Sequence, residues 1–265
     1  MAKKSIVFSW DFSEGTQGWQ EGFADYPLGQ EDFYNLDFGW LPLPSTVGDK
    51  QALFITGDNR SDDLFMYFRN QVTGLTPQTN YSVTFDIELA SNAPDGSAGI
   101  GGSPANSVFL KAGATLVEPL PIINDPDEGV IRLNIDQGNQ SESGNDSVVL
   151  GDIAKPDDGT FDYALIKRNN NTDKFTFRTD DLGSAWLYFG TDSGYEGTTA
   201  LFYSKFQAEF SPQFDSISVS EPSMITLLLT LSLSALFSQI RPFFFNHNDF
   251  YFLPHKTPKR TKPRS

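Results

Sequence analysis

The stretch Tyr81–Leu89, YSVTFDIEL, alternates without a fault, and it limits what this chain can become more than any other segment. Tyr81, Val83, Phe85, Ile87 and Leu89 fall on one side, and Ser82, Thr84, Asp86 and Glu88 on the other. A period of two with aromatic and β-branched residues on one face predicts a half-buried antiparallel strand, because successive side chains of extended backbone point to opposite faces. Gly74-Leu75-Thr76-Pro77 leads into it as a turn, and Pro77, which has no N–H to give a ladder, fixes where pairing can start.

The same reading applied along the chain predicts further strands at Ile6–Phe12, Gln51–Gly57, Leu64–Gln71, Ser107–Ala114, Gly129–Asp136, Ser147–Leu150, Phe161–Arg168, Lys174–Thr179, Ser184–Gly190, Thr198–Phe210 and Phe214–Val219. No helical period occurs before residue 223, and the turns recur at short intervals. The expected fold is therefore all-β, an antiparallel two-sheet sandwich over residues 5–219. On the longest strand the alternation puts Phe202, Phe206, Ala208 and Phe210 opposite Tyr203, Lys205, Gln207 and Glu209. Trp186 and Tyr188 stand opposite Ala185, Leu187 and Phe189, so that strand is apolar on both sides; burial on both faces explains this, and so does a binding face with exposed rings.

Residue types exclude several chemistries. There is no cysteine, and the two histidines, His247 and His255, lie near the C-terminus, so the sandwich holds no disulfide, thiolate or histidine-dependent site. The net charge is -15, while residues 241–265 are net positive; the sandwich is strongly acidic and carries no basic stripe, which argues against nucleic acid as a partner. Asp86 and Glu88 share one strand face with origins about 7 Å apart, a spacing that paired acids of a glycoside hydrolase or lyase use, although such acids are also ordinary on the solvent side of a strand. The run Asp58–Asp63, DNRSDD, offers oxygen donors of the kind calcium takes, but without EF-hand spacing; a solvated turn and a structural calcium both fit. Residues 23–48 read as a long loop crowded with rings, among them Tyr34 and Trp40; they either plug one end of the sandwich or form a platform for a sugar ring.

A first strand FSWDFSEGTQGW, ending in glycine turns and a tryptophan, and the later GLTPQTNYSVTFDIE together resemble the galactose-binding-like jelly rolls that include many carbohydrate-binding modules. The resemblance implies a jelly-roll sandwich, a packing role for Trp19, and a surface that takes polysaccharide or extracellular matrix without catalysis. The residues expected to meet a ligand are Tyr34, Trp40, Trp186, Tyr188 and Tyr203. A structural surface or matrix protein without a small ligand is the alternative, and an enzyme relying on Asp86 and Glu88 the third.

After the sandwich, Met224–Ile240 is uncharged and closed by Arg241. Seventeen residues make about 26 Å of helix at about 1.5 Å each, the short limit for a bilayer. This predicts a transmembrane helix at 224–240, with the basic aromatic tail 242–265 inside and the acidic sandwich outside. Glu221-Pro222-Ser223, the apolar run and Arg241 resemble the PEP-CTERM sorting signal of exported bacterial proteins, with Ser220 in place of the first proline and a longer tail than that signal normally has. The resemblance implies a cell-surface or extracellular location. Met1-Ala2-Lys3-Lys4 is followed directly by a strand pattern rather than an apolar leader, so the natural start is expected upstream.

Overall fold

The computed structural model describes residues 4–123 and 129–213. The expected strand at 214–219, the sorting motif, the apolar run 224–240, the tail and the acidic turn 125–128 lie outside the described residues. No helix among the described residues is long and apolar enough to cross a membrane.

Fifteen strands, numbered in chain order, form three sheets among the described residues, and every ladder is antiparallel. The first sheet has seven: β1 (Ile6–Asp11), β4 (Asp37–Pro42), β5 (Gln51–Asp58), β7 (Asn80–Ser91), β12 (Ala164–Asn169), β13 (Phe175–Arg178) and β15 (Thr198–Pro212). Its order is β12-β7-β15-β5-β4; β13 continues the β12 edge along β7, and β1 continues the β5 side along β15. The second sheet runs β11-β8-β14-β6-β2, from β11 (Ser147–Asp152), β8 (Val108–Thr115), β14 (Ser184–Ser193), β6 (Leu64–Thr73) and β2 (Gln20–Ala24). A small third sheet joins β3 (Tyr26–Pro27), β10 (Val130–Leu133) and β9 (Pro121–Ile123). This is the expected two-layer sandwich with a third, short sheet added.

The core lies between the first two sheets. Tyr81, Val83, Phe85, Ile87 and Leu89 are all buried there, as the alternation of β7 requires. They meet Phe68, Ala185, Leu187 and Phe189 of the second sheet. Rings hold its centre: Phe206 lies 4.7 Å from Phe189, 5.2 Å from Trp19 and 5.8 Å from Trp10 between ring centres, distances at which aromatic pairs attract beyond their simple burial. Trp19 is thus a packing residue, as the jelly-roll resemblance implies.

Two sequence expectations change. The face assignment on β15 holds for Phe206, Ala208 and Phe210 but is inverted before them: Tyr203 is buried in the core, and Phe202 faces outward against Phe54 and Tyr163. A bulge at Ser204, between Tyr203 and Lys205, inserts one residue in the pairing with β7 and shifts the alternation by one. Residues 23–48 are not one irregular loop: they contain the end of β2, all of β3 and β4, and Trp40 belongs to β4.

The outer face of the second sheet is not open to solvent. The segment after β8, including β9 and β10, packs over it, with Leu133 and Ile135 against Phe65, Tyr67 and Tyr188. This cover accounts for the two apolar faces of β14.

Candidate functional site

On the outer face of the first sheet, pairing registers place four charges of alternating sign side by side. Lys167 of β12 stands opposite Glu88 of β7, Glu88 opposite Lys205 of β15, and Lys205 opposite Asp11 of β1. Cross-strand pairs of opposite charge are the favourable arrangement on a sheet face, each worth about 0.2–1 kcal/mol. Asn169, Asp86, Gln207 and Ser9 form the next row to one side, in the same four strands. On the other side lies an apolar row, Leu165, Ala90, Phe202 and Phe54.

The Ser204 bulge produces this juxtaposition. It lets Phe202 and Lys205 both face outward, three residues apart, where strict alternation would turn one of them into the core. Phe202 lies 4.8 Å from Phe54 and 5.4 Å, edge-on, from Tyr163, and all three rings are half-buried. Leu43 and Val47, from the β4–β5 connection, pack beside them.

Glu88 is the pivot of the charged row. Its side chain is 14% exposed; one carboxylate oxygen lies 3.2 Å from the Lys167 ammonium, and the other lies 3.6 Å from that of Lys205. The Ser204 hydroxyl donates to Glu88 Oε1 at 2.8 Å. Burial alone would raise the Glu88 carboxyl, but the hydrogen bonds from Ser204 and Lys167 and the charge of Lys205 more than offset it, so it titrates below the ordinary glutamate value. Asp86 moves the opposite way, raised by burial and then by Glu209. Asp11 is held low chiefly by the Ser13 hydroxyl, which donates to it at 2.7 Å.

Two depressions meet at Glu88 and Lys205. One, of about 290 Å³, is lined by Ser9, Asp86, Lys167 and Gln207; the other, of about 440 Å³, reaches Asp11, Ser13, Leu43, Val47 and Leu165. Together they match ligand clefts in size, about 300–1,000 Å³. The arrangement offers an apolar shelf beside a line of fixed donors and acceptors. At Glu88 it favours an acceptor, the carboxyl being held below the ordinary glutamate value by Ser204 and then by two lysines.

The rings expected from the sequence to meet a ligand are scattered. Tyr34 is buried against Tyr26, Tyr188 lies under the cover of the second sheet, and Tyr203 sits in the core, so none of the three has surface to offer in this structure. Trp40 is 42% exposed at the first sheet's edge, its indole N–H donating to the Phe12 carbonyl at 2.7 Å. Trp186 is half-buried on the second sheet. The structure does not bring these two together. Lys167, Ser204, Lys205, Phe54, Phe202 and Tyr163 escaped the sequence reading; the outward acids of β7 were the available signal. In the Asp58–Asp63 turn, Asp58 binds Arg60, Asn35 and Thr198, Asn59 Oδ1 accepts from the Ser61 and Asp63 N–H groups, and Asp63 binds Arg132. Among the described residues no group of three or more acidic or histidine side chains is placed to hold a metal ion.

No family model matches the chain, and no curated protein matches it. Solved structures similar to it include carbohydrate-binding modules. TmCBM61, in complex with β-1,4-galactotriose, is 9% identical, with 75% of this chain and 92% of that one covered and a TM-score of 0.35. The CBM22-1 xylan-binding domain of Xyn10C from Paenibacillus barcinonensis is 16% identical, with 81% and 100% covered and a TM-score of 0.36. The VP2 subviral particle of infectious bursal disease virus is also among them, at 10% identity, 80% and 34% covered, and a TM-score of 0.33. Likenesses of this size do not bear on function, which has to be argued from the chain's own surface.

Proposed function

We propose that the sandwich is a non-catalytic glycan-binding module whose binding face is the outer face of the first sheet. The observation that carries this is the apolar row Phe202–Phe54, flanked by Tyr163, running directly beside the charged row Lys167–Glu88–Lys205–Asp11. A pyranose has the same division, a C–H surface that rests on rings and a rim of hydroxyls that need donors and acceptors. Glu88 and Asp86 accept from hydroxyls, Lys205 and Lys167 donate to them, and Gln207 does both. The lowered Glu88, held by Ser204 and two lysines, is suited to accept from a hydroxyl. In this reading Trp40 and Trp186, on other surfaces, take no part.

The module is further proposed to act outside the cell, held at the membrane by 224–240. The uncharged run and the positive residues after it support this.

Affinity electrophoresis and calorimetry of the full chain against neutral and uronate-bearing polysaccharides test the binding face. The expected result is retardation by at least one polysaccharide, weakened tenfold or more by Phe202→Ala or Glu88→Gln in variants that keep the wild-type near-ultraviolet spectrum. No retardation by any of them, or binding unchanged in both variants and lost in Trp186→Ala, overturns the assignment.

A further inference from the structure

Beneath the cover of the second sheet lies an ion pair fully cut off from water. Lys111 of β8 and Asp192 of β14 have side chains 0% and 1% exposed, with Nζ and Oδ2 2.9 Å apart. The two residues are diagonal neighbours on one sheet face: Lys111 is opposite Gly190, and Asp192 is opposite Phe109. No side chain of Gly190 stands between them.

The partners of this pair are unequal in an informative way. Lys111 Nζ also donates to the Gln137 carbonyl at 2.9 Å. Asp192 Oδ2 also accepts from the Gln140 backbone N–H at 2.8 Å. Asp192 Oδ1 is buried and has no hydrogen-bond partner among the described residues. A carboxylate oxygen buried without a donor is costly, and native structures rarely leave one. An amide joining the two side chains would keep one N–H, already aimed at Gln137, and one carbonyl oxygen, already served by Gln140. The atom it would discard is the unpartnered Oδ1.

We propose that Lys111 and Asp192 condense to a side-chain amide that staples β8 to β14. Nζ gives up one proton to the carboxylate, where it comes to rest on Oδ1, leaving an amine and a carboxylic acid whose carbonyl oxygen is Oδ2. The amine attacks Cγ, the C–N bond forms, and the tetrahedral adduct expels Oδ1 together with two of the three original ammonium protons as water. The third proton stays as the amide N–H. Nothing is oxidised or reduced, and no co-reactant enters. The Gln140 N–H faces the oxygen on which charge builds in the adduct, the role that fixed backbone donors play in acyl transfer. Burial favours the product, since it replaces two desolvated charges by a neutral group.

The other buried lysine lacks these conditions. Lys155 has a side chain 0% exposed and lies 2.6 Å from Asp158, but that aspartate is 56% exposed. Its carboxyl is held down at about 2, first by the hydrogen bond from Lys155 and then by Thr160. Asp158 Oδ1 has three donors, Lys155 Nζ and both the N–H and the hydroxyl of Thr160. It is open to water and should stay ionic, which makes Lys155 an internal control.

The test is mass spectrometry of the unfolded full chain, with free amines labelled by reductive methylation, followed by tryptic digestion. The expected mass is short by one water. Methylated lysines resist trypsin, so cleavage falls at arginine: Lys111 should carry no label, and a branched peptide should join 70–132 to 179–260, while Lys155 is labelled. Asp192→Ala should restore the full mass and the Lys111 label, a readout that does not require the variant to be stable. A full-mass chain with Lys111 labelled overturns the proposal. So does a chain short by one water in which the 179–260 peptide is linear and carries the loss itself, as a succinimide.

Discussion

Asp25, at the join of β2 and β3, gives the sharpest test of how the cover over the second sheet is held. It is 4% exposed, accepts from Arg132 at 3.0 Å on one oxygen and from the Gln137 side chain at 3.0 Å on the other. Arg132 also reaches Asp63 at 3.0 Å, so one guanidinium serves two carboxylates. Burial, and then the Asp63 charge, outweigh Arg132 and push Asp25 from 3.8 to about 7. A carboxyl with a raised value binds its proton more tightly in the folded chain. Its contribution to stability is therefore complete below about pH 4 and is lost as pH climbs to about 7. At about 1.36 kcal/mol per unit the whole loss is about 4 kcal/mol, of which about 2.5 kcal/mol falls between about pH 5 and about pH 8. Asp25→Asn cannot ionise and should abolish that part. Urea unfolding of both proteins at the two pH values measures it: the variant's stability relative to wild type should improve by about 2.5 kcal/mol on going from acid to alkali. Both histidines remain in the variant, so their titration cancels in the difference. Parallel pH dependences for the two proteins would refute the reasoning and show that Arg132 neutralises Asp25 fully.

Three further outcomes follow from the first sheet and the core. Lys205→Ala should raise the Glu88 carboxyl, since it removes one of the charges holding it down; a carbon-detected NMR titration that leaves Glu88 unmoved would contradict the charged row. Deleting Ser204 removes the bulge and forces either Tyr203 or Phe206 out of the core, so the chain should lose its near-ultraviolet signal and cooperative melting, whereas Ser204→Ala should keep both. Phe206→Ala empties the meeting point of four rings and should cost about 3–5 kcal/mol in denaturant unfolding, with a loss under 1 kcal/mol counting against its central place.

What the sequence made legible was local, and what it hid was produced at a distance. β7 could be read residue by residue because nothing interrupts its pairing with β15 along Tyr81–Ile87, and its outward acids proved to face the cleft. On β15 the same method went astray at one residue, for Ser204 looks like any other strand position until its register against Glu88 is known. The burial of Tyr188 depends on a cover whose anchor, Ile135, is more than fifty residues away, and no window on β14 contains that fact. Of the third sheet, β10 falls within the strand expected at Gly129–Asp136, while β3 and β9, two and three residues long, are too short for a period of two to stand out. Trp40 read as a loop residue because Gly39 and Pro42 punctuate β4, which is tolerable in a strand only at a sheet edge, where β4 lies.

The two outer faces of the sandwich explain each other. The second sheet's outer face is the one richer in large rings, Phe65, Tyr67, Tyr188 and Trp186, and left open it would be an exposed apolar patch. The chain closes it. Arg69 binds Glu118 at 3.0 Å, the Tyr67 hydroxyl donates to the Pro119 carbonyl at 3.1 Å, and the Tyr188 hydroxyl donates to the Asp146 carbonyl at 3.0 Å, so both ends of the cover are tied to the rings it hides. Lys111 and Asp192 tie its middle. With that face committed to the protein's own chain, outward rings beside hydrogen-bonding side chains are left on the first sheet. There one extra residue in β15 has turned a phenylalanine outward beside a lysine, and the proposed binding face comes from that register shift rather than from the most aromatic strand.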